Sequence, residues 1–228
     1  MKTTYVLPGL TLALALAPAA MAAKPPKPPN QPKPATAITL DAKPAIVTFT
    51  GATELSGRLS GTQSNSVVVS LEQDDSRPYG DSYKATGTTT TVANNGTYKF
   101  AVKPLLNTQY RVVARDSPPV TSPAKLVRVR MRVGFNLSDT TPARGGLVRF
   151  SGTVLPAHDG RTVSIQKRSP SGRFITVSRT TLRDAGTAKS AYSRRVRVFR
   201  DGVYRVKVAG DGDHINGFSR LRSINVPG

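Results

Sequence analysis

The stretch QYRVVARDSP at residues 109–118 and the stretch VYRVKVAGDG at residues 203–212 share a Tyr-Arg-Val start followed by alternating apolar positions. Each follows another tyrosine by twelve residues, Tyr98 in one case and Tyr192 in the other, so the two tyrosine pairs are offset by 94 positions. Further out, FSGTVLP around Gly152 matches LSGRLSG around Gly57 at an offset of 95, and VSIQK from Val163 matches VVVSLEQ from Val67 at 96. An offset that drifts by one or two residues across a whole unit marks a duplicated domain whose loops differ slightly.

Within each copy apolar residues recur with period two: Tyr98, Phe100 and Val102; Tyr110 and Val112; Val163 and Ile165; Val196 and Val198; Tyr204, Val206 and Val208. β-Branched and aromatic residues alternating between Gly, Pro, Asn, Asp and Ser clusters predict short antiparallel strands with one buried face, and no stretch reads as a helix. A unit of this length with several such strands fits a β-sandwich. The expectation is an all-β protein of two tandem Ig-like antiparallel β-sandwiches, the first over residues 37–133 and the second over 134–228. The junction AKLVRVRMRVGFNLS has no proline and no flexible polar run, so the last strand of the first sandwich should run nearly straight into the second. Such a stiff joint suits spacing or display. Tyr110 and Tyr204, each opening a late strand, are expected to bury the ring while the hydroxyl reaches backbone near a corner.

Residues 1–23 read as a signal peptide, with Lys2, the apolar run LTLALALAPAAMAA and the small-x-small site Ala20-Met21-Ala22. KPPKPPNQPKPA follows, and residues 24–36 read as a proline-rich basic linker held extended by fixed φ angles. The implied location is secreted, extracellular or wall-associated, with no transmembrane segment in the mature chain. The absence of cysteine excludes disulfides, a thiol nucleophile and a lipid-bearing cysteine. The C-terminal RLRSINVPG carries neither a hydrophobic tail nor a sorting-type motif.

Gly57, the run Val67 to Leu71, Gly96-Thr97-Tyr98, Tyr110-Arg111-Val112 and Ser122-Pro123 follow one another in an order that resembles the tandem Ig-like repeats of secreted actinobacterial cell-envelope proteins. The resemblance covers nearly all of the chain beyond the linker. Copy two departs from it by lacking the glycine two residues before Tyr192 and the Ser-Pro pair. It implies an extracellular or envelope module for binding or spacing, and it carries over no catalytic residue.

Charge is far from balanced: 33 Lys and Arg against 13 Asp and Glu give +20. Residues 134–228 hold 17 basic and 6 acidic residues (+11), residues 36–133 hold 12 and 7 (+5). Arg195 and Arg197 alternate with Val196 and Val198, and Arg205 and Lys207 with Val206 and Val208, so with the valines inward the cations should line an outer sheet face. Arg194 and Arg200 neighbour them, and Arg128, Arg130 and Arg132 repeat the pattern at the junction. These nine are the candidate anion-binding residues, since such density attracts polyanions through long-range fields and counterion release. The plainer reading is that strand faces and edges carry cations for solubility and against edge pairing. The partner expected is an anionic envelope polymer, anionic lipid or nucleic acid bound without sequence preference; the alternative is another exported protein, docked with little role for charge. Sequence-specific nucleic-acid reading has no motif to support it. The lack of Trp weakens a carbohydrate-binding reading, for which Tyr79, Tyr83 and Phe174 remain as stacking rings.

Catalytic material is sparse. The two histidines lie in PAHDGR (His158-Asp159) and GDGDHING (Asp211, Asp213, His214), both read as hairpin turns, and no serine stands in a nucleophile-elbow sequence. No enzyme activity, cofactor or metal is expected. Asp211, Asp213, His214 and Asn216 cluster possible ligands, but not in the spacing of a calcium loop. The acidic EQDDSRPYGDSY, with Glu72, Asp74, Asp75 and Asp81, reads as a solvated loop.

Overall fold

Period-two alternation becomes strands throughout the computed structural model, which describes residues 37–61, 67–115 and 118–227. The expected signal peptide (1–23) and proline-rich linker (24–36) lie outside the described residues. The first half supplies β1 (Ala37–Ile38), β2 (Asp41–Lys43), β3 (Ile46–Thr48), β4 (Thr53–Ser60), β5 (Val68–Asp74), β6 (Lys84–Thr91), β7 (Thr97–Val102), β8 (Thr108–Ala114) and β9 (Val120–Thr121). After β10 (Lys125–Val133) come β11 (Asn136–Leu137), β12 (Gly146–Leu155), β13 (Thr162–Arg168), β14 (Phe174–Thr181), β15 (Arg183–Asp184), β16 (Ser190–Val198), β17 (Gly202–Val208), β18 (Ile215–Phe218) and β19 (Arg222–Ile224). Among the described residues there is no helix, and so none long and apolar enough to cross a membrane.

The strands stack into two sandwiches because each layer has one apolar face to hide. In the first, β1, β2 and β7 flank β4, and Leu55, Leu59, Tyr98 and Phe100 of that layer meet Val69, Leu71, Tyr110 and Val112 of the layer β6-β5-β8. In the second, β12 pairs with β16, and Val148, Phe150, Val154, Tyr192 and Val198 meet Val163, Ile165, Tyr204, Val206 and Val208 of the layer β14-β13-β17.

One strand serves both cores. Along β10 the inward positions Val127 and Val129 belong to the first cluster, and Met131 and Val133 to the second. Its ladders follow suit, antiparallel to β8 at Lys125–Val127 and to β12 at Arg132 and Val133. Between these it runs parallel to β3 and then to β18, where the sequence led us to expect antiparallel pairing alone. β2 pairs with β4 and β3 with β10, so the chain changes layer between β2 and β3 without reversing, and β3 meets β10 pointing the same way. The seam is pinned by the buried Asn107. Its Oδ1 accepts the Val129 N–H at 2.8 Å, its own N–H donates to the Asp213 carbonyl at 2.7 Å, and its Nδ2 donates to Gly212 at 3.0 Å.

The repeat extends to single interactions. Tyr98 donates its hydroxyl to the Thr39 carbonyl, and Tyr192 donates to the Gly134 carbonyl at 2.7 Å. Gly57 and Gly152 lie directly across the ladder from these tyrosines, and a Cβ on either would collide with that same carbonyl and hydroxyl. The hydroxyl-to-backbone role expected of Tyr110 and Tyr204 therefore belongs to Tyr98 and Tyr192. Tyr110 and Tyr204 sit inside central strands, the latter edge-on to Phe150 at 5.3 Å. Ser122 accepts the Val112 N–H, and although copy two lacks a Ser-Pro pair, Ser219 accepts the Val206 N–H in the same way, both at 2.9 Å. Leu71 faces Val112 and Ile165 faces Val206, so Val163 corresponds to Val69 rather than to Val67.

The acidic stretch is less solvated than its composition suggests. Asp74 is buried; burial alone would raise its pKa, but the N–H groups of Gly80, Ser76 and Ser82 outweigh that and hold it below the usual carboxylate range. Glu72 binds Arg111 at 2.6 Å.

Burial pushes the phenols up, Tyr110 to about 12, and Tyr98, Tyr192 and Tyr204 rise for the same reason. A raised pKa means stability is intact below the ordinary tyrosine value of 10 and is lost as pH climbs towards the folded value. Thermal melts should hold level to about pH 9 and fall between about pH 10 and 12, with a late tyrosinate absorbance phase coinciding with unfolding. Tyr192→Phe, which orphans the Gly134 carbonyl, should cost about 1–2 kcal/mol, read as a fall of roughly 2–6 °C in Tm.

Candidate functional site

The nine candidate cations do not share one face. β16 ladders to β12, whereas β17 ladders to β13, β18 and β19; both strands bury valines in one core, so their outward residues point apart. Arg195 and Arg197 stand exposed on the β12–β16 face, whereas Arg205 and Lys207 are half-buried on the opposite one. The expected single basic face is split because a hairpin-like step between consecutive strands here crosses from one layer to the other.

The β12–β16 face gains arginines that the strand pattern alone did not single out. Arg149 is the direct cross-strand partner of Arg195, and both are exposed. Arg183 on β15 stands opposite Ala191 on the same outward row, and Arg132, already a candidate from the sequence, stands beside Leu155 at the far end of β12. Arg197 donates from Nη1 to the Gly145 carbonyl at 2.9 Å. Among the described residues none of these five arginines meets a carboxylate. Like charges facing each other across a ladder cost stability. This pair therefore serves the fold poorly.

Arg194 has the parity of the core side but emerges exposed at the sheet margin, where Nε donates to Ser178 Oγ at 3.1 Å. Arg200 is exposed in the β16–β17 connection, and its carbonyl accepts from Lys167 Nζ at 3.1 Å. Arg128 is exposed beside β3.

Arg130 and Arg205 are already engaged within the protein, which corrects their reading as open anion contacts. The Arg205 guanidinium lies over Phe174 at 3.8 Å and Phe218 at 4.6 Å, with Nε donating to Gln166 at 2.9 Å. Desolvation there lowers its pKa from the ordinary guanidinium value. Arg130 lies over the Phe218 ring at 5.7 Å, and its Nε is buried without a hydrogen-bond partner. The first sandwich has the same motif: Arg111 covers Tyr83 at 3.9 Å and pairs with Glu72, the cross-strand equivalent of Gln166. The second copy has an amide where the first has a carboxylate, so the Arg205 guanidinium has no carboxylate partner among the described residues. Of the three rings considered for sugar stacking, Tyr83 and Phe174 are thus covered by arginines, and Arg77 lies 5.8 Å from Tyr79.

The two histidines, read from sequence as residues of separate turns, meet at the seam with their rings 4.8 Å apart. Asp211 contacts both, with Oδ2 3.0 Å from His158 Nε2 and Oδ1 3.9 Å from His214 Nδ1. No spacing in the sequence announces this, because 52 residues and five strands, β13 to β17, intervene between His158 and Asp211.

No family model matches the chain, and no curated protein matches it in sequence. Among solved structures the chain is similar to red sea bream transglutaminase, at 12% identity and a TM-score of 0.42, over 85% of this chain and 32% of that one. It is also similar to a tetra-tandem repeat in the extending region of a large adhesion protein, at 18% identity and a TM-score of 0.35, over 84% of this chain and 50% of that one. The chain thus spans about a third and a half of the lengths of these two proteins.

If the Arg149–Arg195 pair is uncompensated, Arg195→Thr should raise Tm by about 1–3 °C in low-salt buffer. Screening should erase that gain at about 1 M salt, where the Debye length is near 3 Å.

Proposed function

We propose that this protein is a non-enzymatic, exported module of the cell envelope that contacts an anionic polymer through the arginine row on the β12–β16 face. The observation that carries the reading is Arg149 standing opposite Arg195, with Arg197 and Arg183 on the same outward rows and no carboxylate partner among the described residues. A polyanion laid along these rows neutralises charges that the sheet itself leaves facing one another, and its released counterions supply the driving force. The resemblance to the tandem Ig-like repeats of secreted actinobacterial proteins supports the compartment. The net +11 of the second half supports long-range attraction over its whole surface.

A second reading, docking of another exported protein, has its own support in β14. This outermost strand of its sheet exposes Ile175 at 54% and Val177 at 40%, the kind of edge that takes up an added strand.

The two separate in a co-sedimentation assay of the purified protein with wall sacculi, carrying or stripped of their anionic polymers, titrated with salt. Polymer-dependent binding that weakens steeply with salt is expected. Arg149→Gln/Arg195→Gln/Arg197→Gln should flatten the salt slope by up to about one unit per lost cation with Tm retained. Arg205→Gln, which unstacks Phe174 and Phe218, should change the slope less and lower Tm. A triple variant with an unaltered salt slope would remove the arginine row from the account. A saturable, salt-insensitive complex with a protein would favour β14.

A further inference from the structure

We propose that His158 Nε2, Asp211 Oδ2 and His214 Nδ1 form a binding site for a divalent transition-metal ion of the zinc class at the seam between the two sandwiches. The ligand atoms these three residues offer lie within 4.8 Å of one another. Tetrahedral zinc, with bonds of about 2.0–2.1 Å, sets its ligands roughly 3.4 Å apart. Small ring rotations therefore close the site.

The second shell already fixes which nitrogen each ring presents. His214 Nε2–H donates to the Leu105 carbonyl at 2.8 Å, so Nδ1 carries the lone pair; it is buried, has no hydrogen-bond partner, and faces Asp211 at 3.9 Å. His158 Nδ1 lies 3.1 Å from the Pro156 carbonyl and Nε2 lies 3.0 Å from Asp211 Oδ2, so Nε2 is the nitrogen turned to the carboxylate. A ring nitrogen and a carboxylate oxygen this close need a proton or a cation between them. Ring N–H groups tied to backbone carbonyls are the usual outer shell of metal-bound histidines.

Asp211 is equally prepared. Its Oδ1 accepts the N–H groups of Asp213 and His214 at 2.9 and 2.8 Å, leaving Oδ2 for His158 and for Arg161 at 3.3 Å. Arg161 is half exposed, so its guanidinium can move aside into water as a cation enters. The two turns hold Asp159, Asp211 and Asp213, half of the six acidic residues of the basic second sandwich, so a cation is drawn here rather than elsewhere on it. Two imidazoles and one carboxylate select borderline ions such as Zn²⁺, Co²⁺ or Ni²⁺ over Ca²⁺ and Mg²⁺, and three protein ligands leave one position for water. Because His214 is held by Leu105 and packs edge-on to Phe49 at 6.1 Å, the ion would also brace the joint.

With only two histidines in the chain, the test needs no variant at first. In the untagged full chain, long-range ¹H–¹⁵N spectra contain two imidazoles, and Zn²⁺ titration should move His158 at Nε2 and His214 at Nδ1 together, saturating at one ion per chain. Co²⁺ should give the visible absorption of a tetrahedral site. Saturating Zn²⁺ at about 100 times its Kd should raise Tm by roughly 5–10 °C. His158→Gln and Asp211→Asn should each weaken binding at least about tenfold to a hundredfold. A metal that shifts one ring or neither, or binding unchanged in both variants, overturns the proposal.

Discussion

Strand alternation along β10 is the constraint on which the rest of the molecule depends. Successive side chains of a strand point to opposite faces, so once Val127 and Val129 are committed to one core and Met131 and Val133 to the next, Arg128, Arg130 and Arg132 have no choice but the other side. The same strand ladders to β8 and β3 of the first sandwich and to β18 and β12 of the second. A bend within it would break hydrogen bonds in both halves. The buried Asn107 then ties the Val129 N–H to the 211–214 turn, so the seam has hydrogen bonds of its own as well as a shared strand.

Duplication has kept what geometry demands and let charge diverge. Both copies retain a glycine across from a tyrosine whose hydroxyl holds a backbone carbonyl, and both retain a serine that accepts the N–H of a buried valine in the central strand. These contacts satisfy buried polar groups, and their loss would leave orphans in the core. The outward Arg-on-aromatic motif is also kept, but its carboxylate, Glu72 in the first copy, is Gln166 in the second. Nothing in the packing requires that carboxylate, since the guanidinium is held by ring stacking in either case.

The distribution of arginines separates two kinds of positive charge. Arg205 and Arg130 are spent on their own protein's aromatic rings, and they contribute to the field around the molecule more than to any contact. Arg149, Arg195 and Arg197 are instead exposed on one sheet face. The distinction is one of environment, invisible to net charge.

Much of this was legible in the sequence, and the part that was not has a common cause. Periodicity and self-similarity carried the all-β class, the sandwich layers and the repeat, because a strand's inward face is written into every second residue. The inward side of β16 and β17 was legible for the same reason, and so was the outward side of Arg195 and Arg197. Which layer each strand joins was not, and so Arg195 and Arg205 came to lie on opposite faces. Likewise the choice of Tyr98 and Tyr192 over Tyr110 and Tyr204 for the backbone contact, the burial of Asp74, and the meeting of His158 with Asp211 and His214 arise between segments far apart in the chain. The sequence by itself determined what each residue faces, inward or outward, through local alternation; only the tertiary structure decided what it faces there, because strand pairing brings together residues whose separation along the chain carries no periodic signal.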